Sequence, residues 1–190
     1  DLKSETNTTA PLQGKTVALL FEKPSLRTRV SFEVATANLG GNCLYLSPQE
    51  VGIGGREAVS DVAQVLSRYV HCIVYWCFEH KNLEELAQYS TVPVNNALSE
   101  IEHPCPTLTD LTTMLEKRGS LRGTVLAYIG DGNNVARSLA FGAASVGMTF
   151  RIASPSGYEL STEVLKQAAQ IAAANGGQIE FLRDPVAAVE

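Results

Sequence analysis

Short apolar runs alternate with helix-like stretches from one end of this chain to the other. Strand-like runs fall at 15–21, 43–46, 72–76, 92–95, 124–129, 149–153 and 178–182. Between them lie stretches of helical character at 25–39, 58–69, 82–89, 102–117, 133–146 and 161–175. Parallel strands cannot be joined by a tight hairpin and need a crossover, usually a helix. The alternation therefore predicts parallel sheets with helices on both faces. Glycines at Gly40-Gly41, Gly147 and Gly176-Gly177 close three of the helical stretches, as expected where a C-terminal cap needs positive φ. Asn82 is the expected cap of the 82–89 helix. Gly119 to Gly123 reads as the joint between two units. The expected fold is α/β, with two doubly wound parallel-sheet domains: 1–118 nearly whole and 119–190 incomplete.

The ends and the bulk numbers set limits. Residues 1–14 are polar and read as a frayed helix end or loop. The chain lacks an initiator Met and stops at 184–190 just as a helix begins, so it reads as part of a longer protein. With 45% hydrophobic residues in 190, a sizeable core is available. A net charge of -5 argues against a nucleic-acid surface, although local arginines can still hold a small anion. The four cysteines, Cys43, Cys72, Cys77 and Cys105, have no CxxC spacing and read as reduced thiols. No stretch suits a membrane span or a signal peptide, so a cytoplasmic protein is expected. The segment 47–56, with Pro48, Gly52, Gly54 and Gly55, reads as a mobile loop.

Three places carry candidate chemistry. The first is Phe21-Glu22-Lys23-Pro24-Ser25-Leu26-Arg27-Thr28-Arg29, a turn between a strand and a helix. Arginines at a helix N-terminus face the positive end of the dipole, which is the wrong end for a cation. An anion held by free N–H groups, the Ser25 and Thr28 hydroxyls and a guanidinium would explain them. An ordinary capped helix with solvent-facing arginines explains them equally well. The second is His103, before Pro104 at a helix start. It could donate to a substrate carbonyl or serve only as a local structural partner. The third is Gly130-Asp131-Gly132-Asn133-Asn134-Val135. It lacks dinucleotide-loop spacing, which argues against a nicotinamide cofactor. Two asparagines there could bind a zwitterionic substrate, or form a polar turn with an Asn cap. The loops at 22–29, 77–80, 95–103 and 130–134 all follow strands, where open parallel sheets bind ligands. That agreement favours a common cleft for Arg27 and His103.

Taken together, these residues resemble a known family. The stretch 21–33 resembles the SxRTR signature of aspartate and ornithine carbamoyltransferases. Residues 56–68 are similar to that family's next loop and helix, and His103-Pro104-Cys105-Pro106 resembles its HPxQ motif. Residues 130–135 look like the ornithine version, and no HSR element of the aspartate enzymes is present. The resemblance spans nearly the whole chain. It implies that Ser25, Leu26 (through its backbone), Arg27 and Thr28 hold the phosphate of carbamoyl phosphate. It further implies that His103, with Pro104 and Cys105 beside it, polarises the carbamoyl carbonyl, His103 and Arg27 being the catalytic pair. Asn134, and less directly Asn133, would contact L-ornithine. The implied reaction makes citrulline and phosphate without metal or organic cofactor, in a homotrimer or a multiple of trimers. The 190 residues alone are expected not to turn over. Departures are plain: an arginine of the family falls on Trp76, the Gln of HPxQ is Pro106, and a loop Gln or His is Gly52. Alternatives are a carbamoyltransferase for another amine, such as putrescine, an acylated ornithine or aspartate, and a non-catalytic relative.

Overall fold

The structure, a computed structural model, describes residues 9–190. Two compact units emerge, one ending at Glu100 and the other running from Ile101 to Glu190. In the first, β1 (Thr16–Phe21) is followed by α1 (Leu26–Asn38), β2 (Asn42–Leu46), α2 (Pro48–Val51) and α3 (Val59–Leu66). β3 (Cys72–Trp76), α4 (His80–Tyr89) and β4 (Val94–Leu98) complete it. All pairings are parallel, in the order β2-β1-β3-β4. β1 is apolar almost throughout because it is buried on both faces, as a central parallel strand must be. Ala18, Leu20, Ile73 and Tyr75 join Val62, Ala63, Leu83 and Leu86 of α3 and α4 in one core layer. Val17, Leu19, Phe21 and Val74 form the other layer, against Phe32 of α1. The strand order reverses between β1 and β3, so the crevice beyond their C-terminal ends is the favoured ligand position of this architecture.

The second unit begins with α5 (Pro104–Arg118), then β5 (Val125–Ile129), α6 (Asn134–Ser145) and β6 (Thr149–Ala153). α7 (Thr162–Asn175), β7 (Gln178–Leu182) and α8 (Pro185–Val189) follow. Its sheet is parallel in the order β5-β6-β7. Phe150 and Ile152 meet Ala136, Leu139, Ala140, Ala143 and Ala168 in its core. The alanines let α6 approach closely, and at Gly142 a Cβ would stand 2.4 Å from Thr107 Cγ2 of α5.

The packing bears on several sequence expectations. Leu111 of α5 packs into the second core and the second compact unit begins at Ile101, while the expected joint is Gly119–Gly123. Apolar periodicity marks α5 as a helix but does not say which core its face enters. The 47–56 segment is not featureless. Ser47 and Glu50 form a reciprocal capping box around α2, and Gly52 ends it in the left-handed region at φ 65°. Asn82 lies inside the first turn of α4, whose N-cap is Glu79. β4 starts at Val94, after Pro93, which has no N–H to give a ladder. The end of the expected leading segment, 9–14, falls in the described part; residues 1–8 lie outside it.

Candidate functional site

The Ser25–Thr28 turn leaves the C-terminal end of β1 beside the point where strand order reverses. Ser25 is the extended N-cap of α1, yet its hydroxyl makes no capping bond. Helix geometry leaves the first-turn N–H groups without intrahelical acceptors. The first turn holds no acidic residue that would compete with an incoming anion. The two arginines divide their roles. Arg29 Nε bonds Glu33 at 2.8 Å and its guanidinium stacks 3.7 Å from the Tyr45 ring centroid. Glu33 also raises its pKa, so Arg29 is a committed, permanently charged structural group. Arg27 is exposed and makes no ion pair among the described residues. The turn is fastened from below by Glu22. Its carboxylate accepts the Tyr75 hydroxyl and, at 2.6 Å, the Phe78 N–H. Burial, then that carboxylate, push the Tyr75 hydroxyl well above its usual range. Spacing could not reveal this anchor, because Tyr75 lies 53 residues from Glu22.

Trp76 ends β3 opposite Phe21 of β1. The rings lie 5.9 Å apart, and Phe21 in turn meets Tyr45 edge-on at 5.8 Å. The indole Nε1 is buried and has no hydrogen-bond acceptor among the described residues. Trp76 belongs to the layer that α1 covers, where it is an aromatic wedge with one neutral donor. Gly52 is explained by its left-handed backbone, and Pro106 by its place in the first turn of α5, where a proline is tolerated.

His103, Pro104 and Cys105 open α5 in the second unit. His103 is the N-cap and Pro104 follows at the first helical position, which suits its fixed φ. The His103 N–H donates to Ser138 Oγ at 2.8 Å. Ser138 donates to Glu102, and Glu102 also accepts from Arg137 Nε at 2.6 Å. Burial pushes the Cys105 thiol up, leaving it a neutral neighbour and not a nucleophile.

Asn133 and Asn134 stand at the start of α6, in the same unit as His103. Asn133 is the N-cap: its Oδ1 accepts from Val135 at 2.9 Å and Ala136 at 3.2 Å. The sequence reading as a polar turn with an Asn cap therefore describes Asn133, and Asn134 is the asparagine beyond it. The glycines have their own task. A Cβ on Gly132 would stand 2.3 Å from Leu160 N, because the Gly132 N–H bonds Tyr158 O at 2.7 Å. The candidate residues thus form one group in the first unit, Ser25 to Thr28, and a second in the other, His103 to Cys105 with Asn133 and Asn134. Among the described residues no cluster of three or more His, Cys, Asp or Glu suits a metal ion.

Comparison with known proteins matches these groups to a family. Residues 1–116 match the aspartate/ornithine carbamoyltransferase carbamoyl-P binding domain, and 122–190 the Asp/Orn binding domain of the same family. The anabolic ornithine carbamoyltransferase of Pyrococcus furiosus is 50% identical over 179 residues, covering 94% of this chain and 57% of the relative. The ornithine carbamoyltransferase of Anoxybacillus flavithermus is 52% identical over the same shares. The solved Pyrococcus furiosus structure superposes with a TM-score of 0.92 at 49% identity, over 96% of this chain and 58% of that one. The chain thus spans rather more than half the length of the relatives it matches. With both domain models matched in order, and relatives half identical across almost all of it, the chain belongs to the aspartate/ornithine carbamoyltransferase family.

Proposed function

We propose that the protein to which these residues belong transfers the carbamoyl group of carbamoyl phosphate to the side-chain amine of L-ornithine, releasing phosphate and citrulline. The observation that carries the reading is the Ser25–Thr28 turn, with a hydroxyl that makes no capping bond and an arginine that makes no ion pair among the described residues. Ser25, Arg27, Thr28 and the N–H groups around Leu26 hold the phosphate. His103 polarises the carbonyl oxygen, with Pro104 and Cys105 shaping its surroundings. The amine of ornithine attacks the carbonyl carbon, the C–O bond to phosphate breaks, phosphate takes the bonding pair, and the proton lost by the amine nitrogen leaves on the phosphate. Catalysis here is orientation plus stabilisation of charge on the carbonyl oxygen and on the leaving phosphate. Asn134 binds the amino-acid end of ornithine; the use of Asn133 as a helix cap supports that division. Residues 1–118 are the carbamoyl-phosphate part and 119–190 the first portion of the ornithine part. The protein works in arginine synthesis or breakdown, in the cytoplasm, as a homotrimer or a multiple of trimers. No helix among the described residues is long and apolar enough to cross a membrane.

Calorimetric titration of carbamoyl phosphate tests this, with inorganic phosphate as competitor. Saturable binding that weakens about tenfold or more in Arg27→Ala is expected, the size of one charge-assisted hydrogen bond. Equal affinity in the Arg27→Ala variant would sink the assignment of the turn. The unpaired Trp76 indole favours a second reading, a relative that holds anions without transferring carbamoyl groups. Binding of phosphate alone, with carbamoyl phosphate gaining no advantage, would favour it.

A further inference from the structure

Three side chains with no role in the reading above surround the segment that carries His103. Glu102 precedes it in the chain. Arg137 and Ser138 come from α6, 35 and 36 residues away from Glu102. Ser138 is buried, and the side chains of Glu102 and Arg137 are only 19% and 29% exposed. The proton arrangement is fixed by elementary accounting. A backbone N–H can only donate, so Ser138 Oγ must accept from His103 and spend its single proton elsewhere. It spends it on Glu102, whose second oxygen accepts from Arg137 Nε at 2.6 Å. Glu102 therefore accepts on both oxygens.

We propose that Glu102, Arg137 and Ser138 are positioning residues that clamp the His103 backbone to α6, the helix that begins at Asn133 and Asn134. The clamp rests on the proposed role of His103 and deepens it. The imidazole hangs from a cap residue at φ -138° and ψ 74°, outside regular helix, so the helical ladder of α5 does not by itself set its aim. The buried Ser138 ties that residue to a helix two turns of which are packed in the second core. Arg137 is one turn from Asn133, so the helix that holds the His103 backbone is also the one that begins at the asparagines. A charged pair in a half-buried site is held in one geometry more firmly than a solvated one, because its members lose little by staying and much by parting.

Two ligands test this on one protein. Inorganic phosphate reports the Ser25–Thr28 turn alone, while carbamoyl phosphate adds the carbonyl that His103 polarises. By calorimetry the unaltered chain is expected to bind carbamoyl phosphate about tenfold more tightly than phosphate, one hydrogen bond's worth. His103→Ala is expected to abolish that margin and to leave phosphate affinity unchanged. Glu102→Gln, which puts an amide donor against donors, and Ser138→Ala are expected to abolish most of it as well. Arg137→Lys keeps a charged donor and is expected to retain the margin, whereas Arg137→Met is expected to lose it. If His103→Ala abolishes the margin while Glu102→Gln and Ser138→Ala keep it whole, the clamp is overturned and the role of His103 stands. If the unaltered chain shows no margin, or His103→Ala keeps it, the role of His103 falls and the clamp falls with it. A parallel loss of phosphate affinity in Glu102→Gln and Ser138→Ala would mark a general loss of structure and overturn the clamp too.

Discussion

At Trp76 an indole closes the end of β3, and its effect there is chemical as well as steric. The indole fills the space next to Phe21 and offers one neutral N–H that no described residue accepts. Trp76→Arg is expected to tighten carbamoyl-phosphate binding, by roughly 1.5–3 kcal/mol for a hydrogen bond to a charged group; calorimetry reads it directly. A second prediction concerns Cys77. Burial, with Glu22 and Glu100 nearby, pushes its thiol up to about 12. A raised value in the folded state means the folded chain keeps the proton that the unfolded chain releases. That stability is fully present below the unfolded thiol's ordinary range and is lost as pH rises towards 12. Urea midpoints are thus expected to fall across this alkaline window, and to fall less steeply in Cys77→Ala. Residue identity and position singled out Ser25, Arg27, Thr28 and His103 as candidates in the sequence. It could not make Glu22–Tyr75 or Glu102–Arg137 readable, because each pair is created by chain crossings and leaves no local pattern.

Among elements, the turn before α6 shows how a motif can be read for its side chains and be shaped by its backbone. Gly130-Asp131-Gly132-Asn133-Asn134 was legible as a special turn, but the reason for Gly132 was not, since Leu160 and Glu159 approach it from a distant loop. Gly132→Ala is expected to cost about 3 kcal/mol, the upper range of overpacking against atoms that cannot move aside. Gly119→Ala meets no atom within 4 Å and suffers only from its φ of 75°, so about 1 kcal/mol is expected. Denaturant titrations of the two variants separate the causes. Helix and strand existence followed from periodicity nearly everywhere. The places where it failed were those set by short-range hydrogen bonds: the capping box of α2, and the start of α4 at Glu79 instead of Asn82.

For the molecule as a whole, alternation of apolar and helical runs was enough to read parallel α/β architecture, because strands buried on both faces make near-continuous apolar segments and parallel neighbours need helical crossovers. It was not enough to assign α5, whose apolar face could have served either core. Each unit has its own core, so Phe150→Ala is expected to lower amide protection across β5–β7 while β1 and β3 keep theirs, as hydrogen exchange would show. The single tryptophan of the chain is Trp76, in the first unit. Emission excited at the indole band is then blind to the second unit. Fluorescence-detected unfolding follows one half of the molecule, and circular dichroism follows both. Any gap between the two curves measures, without a label, how far the halves melt apart.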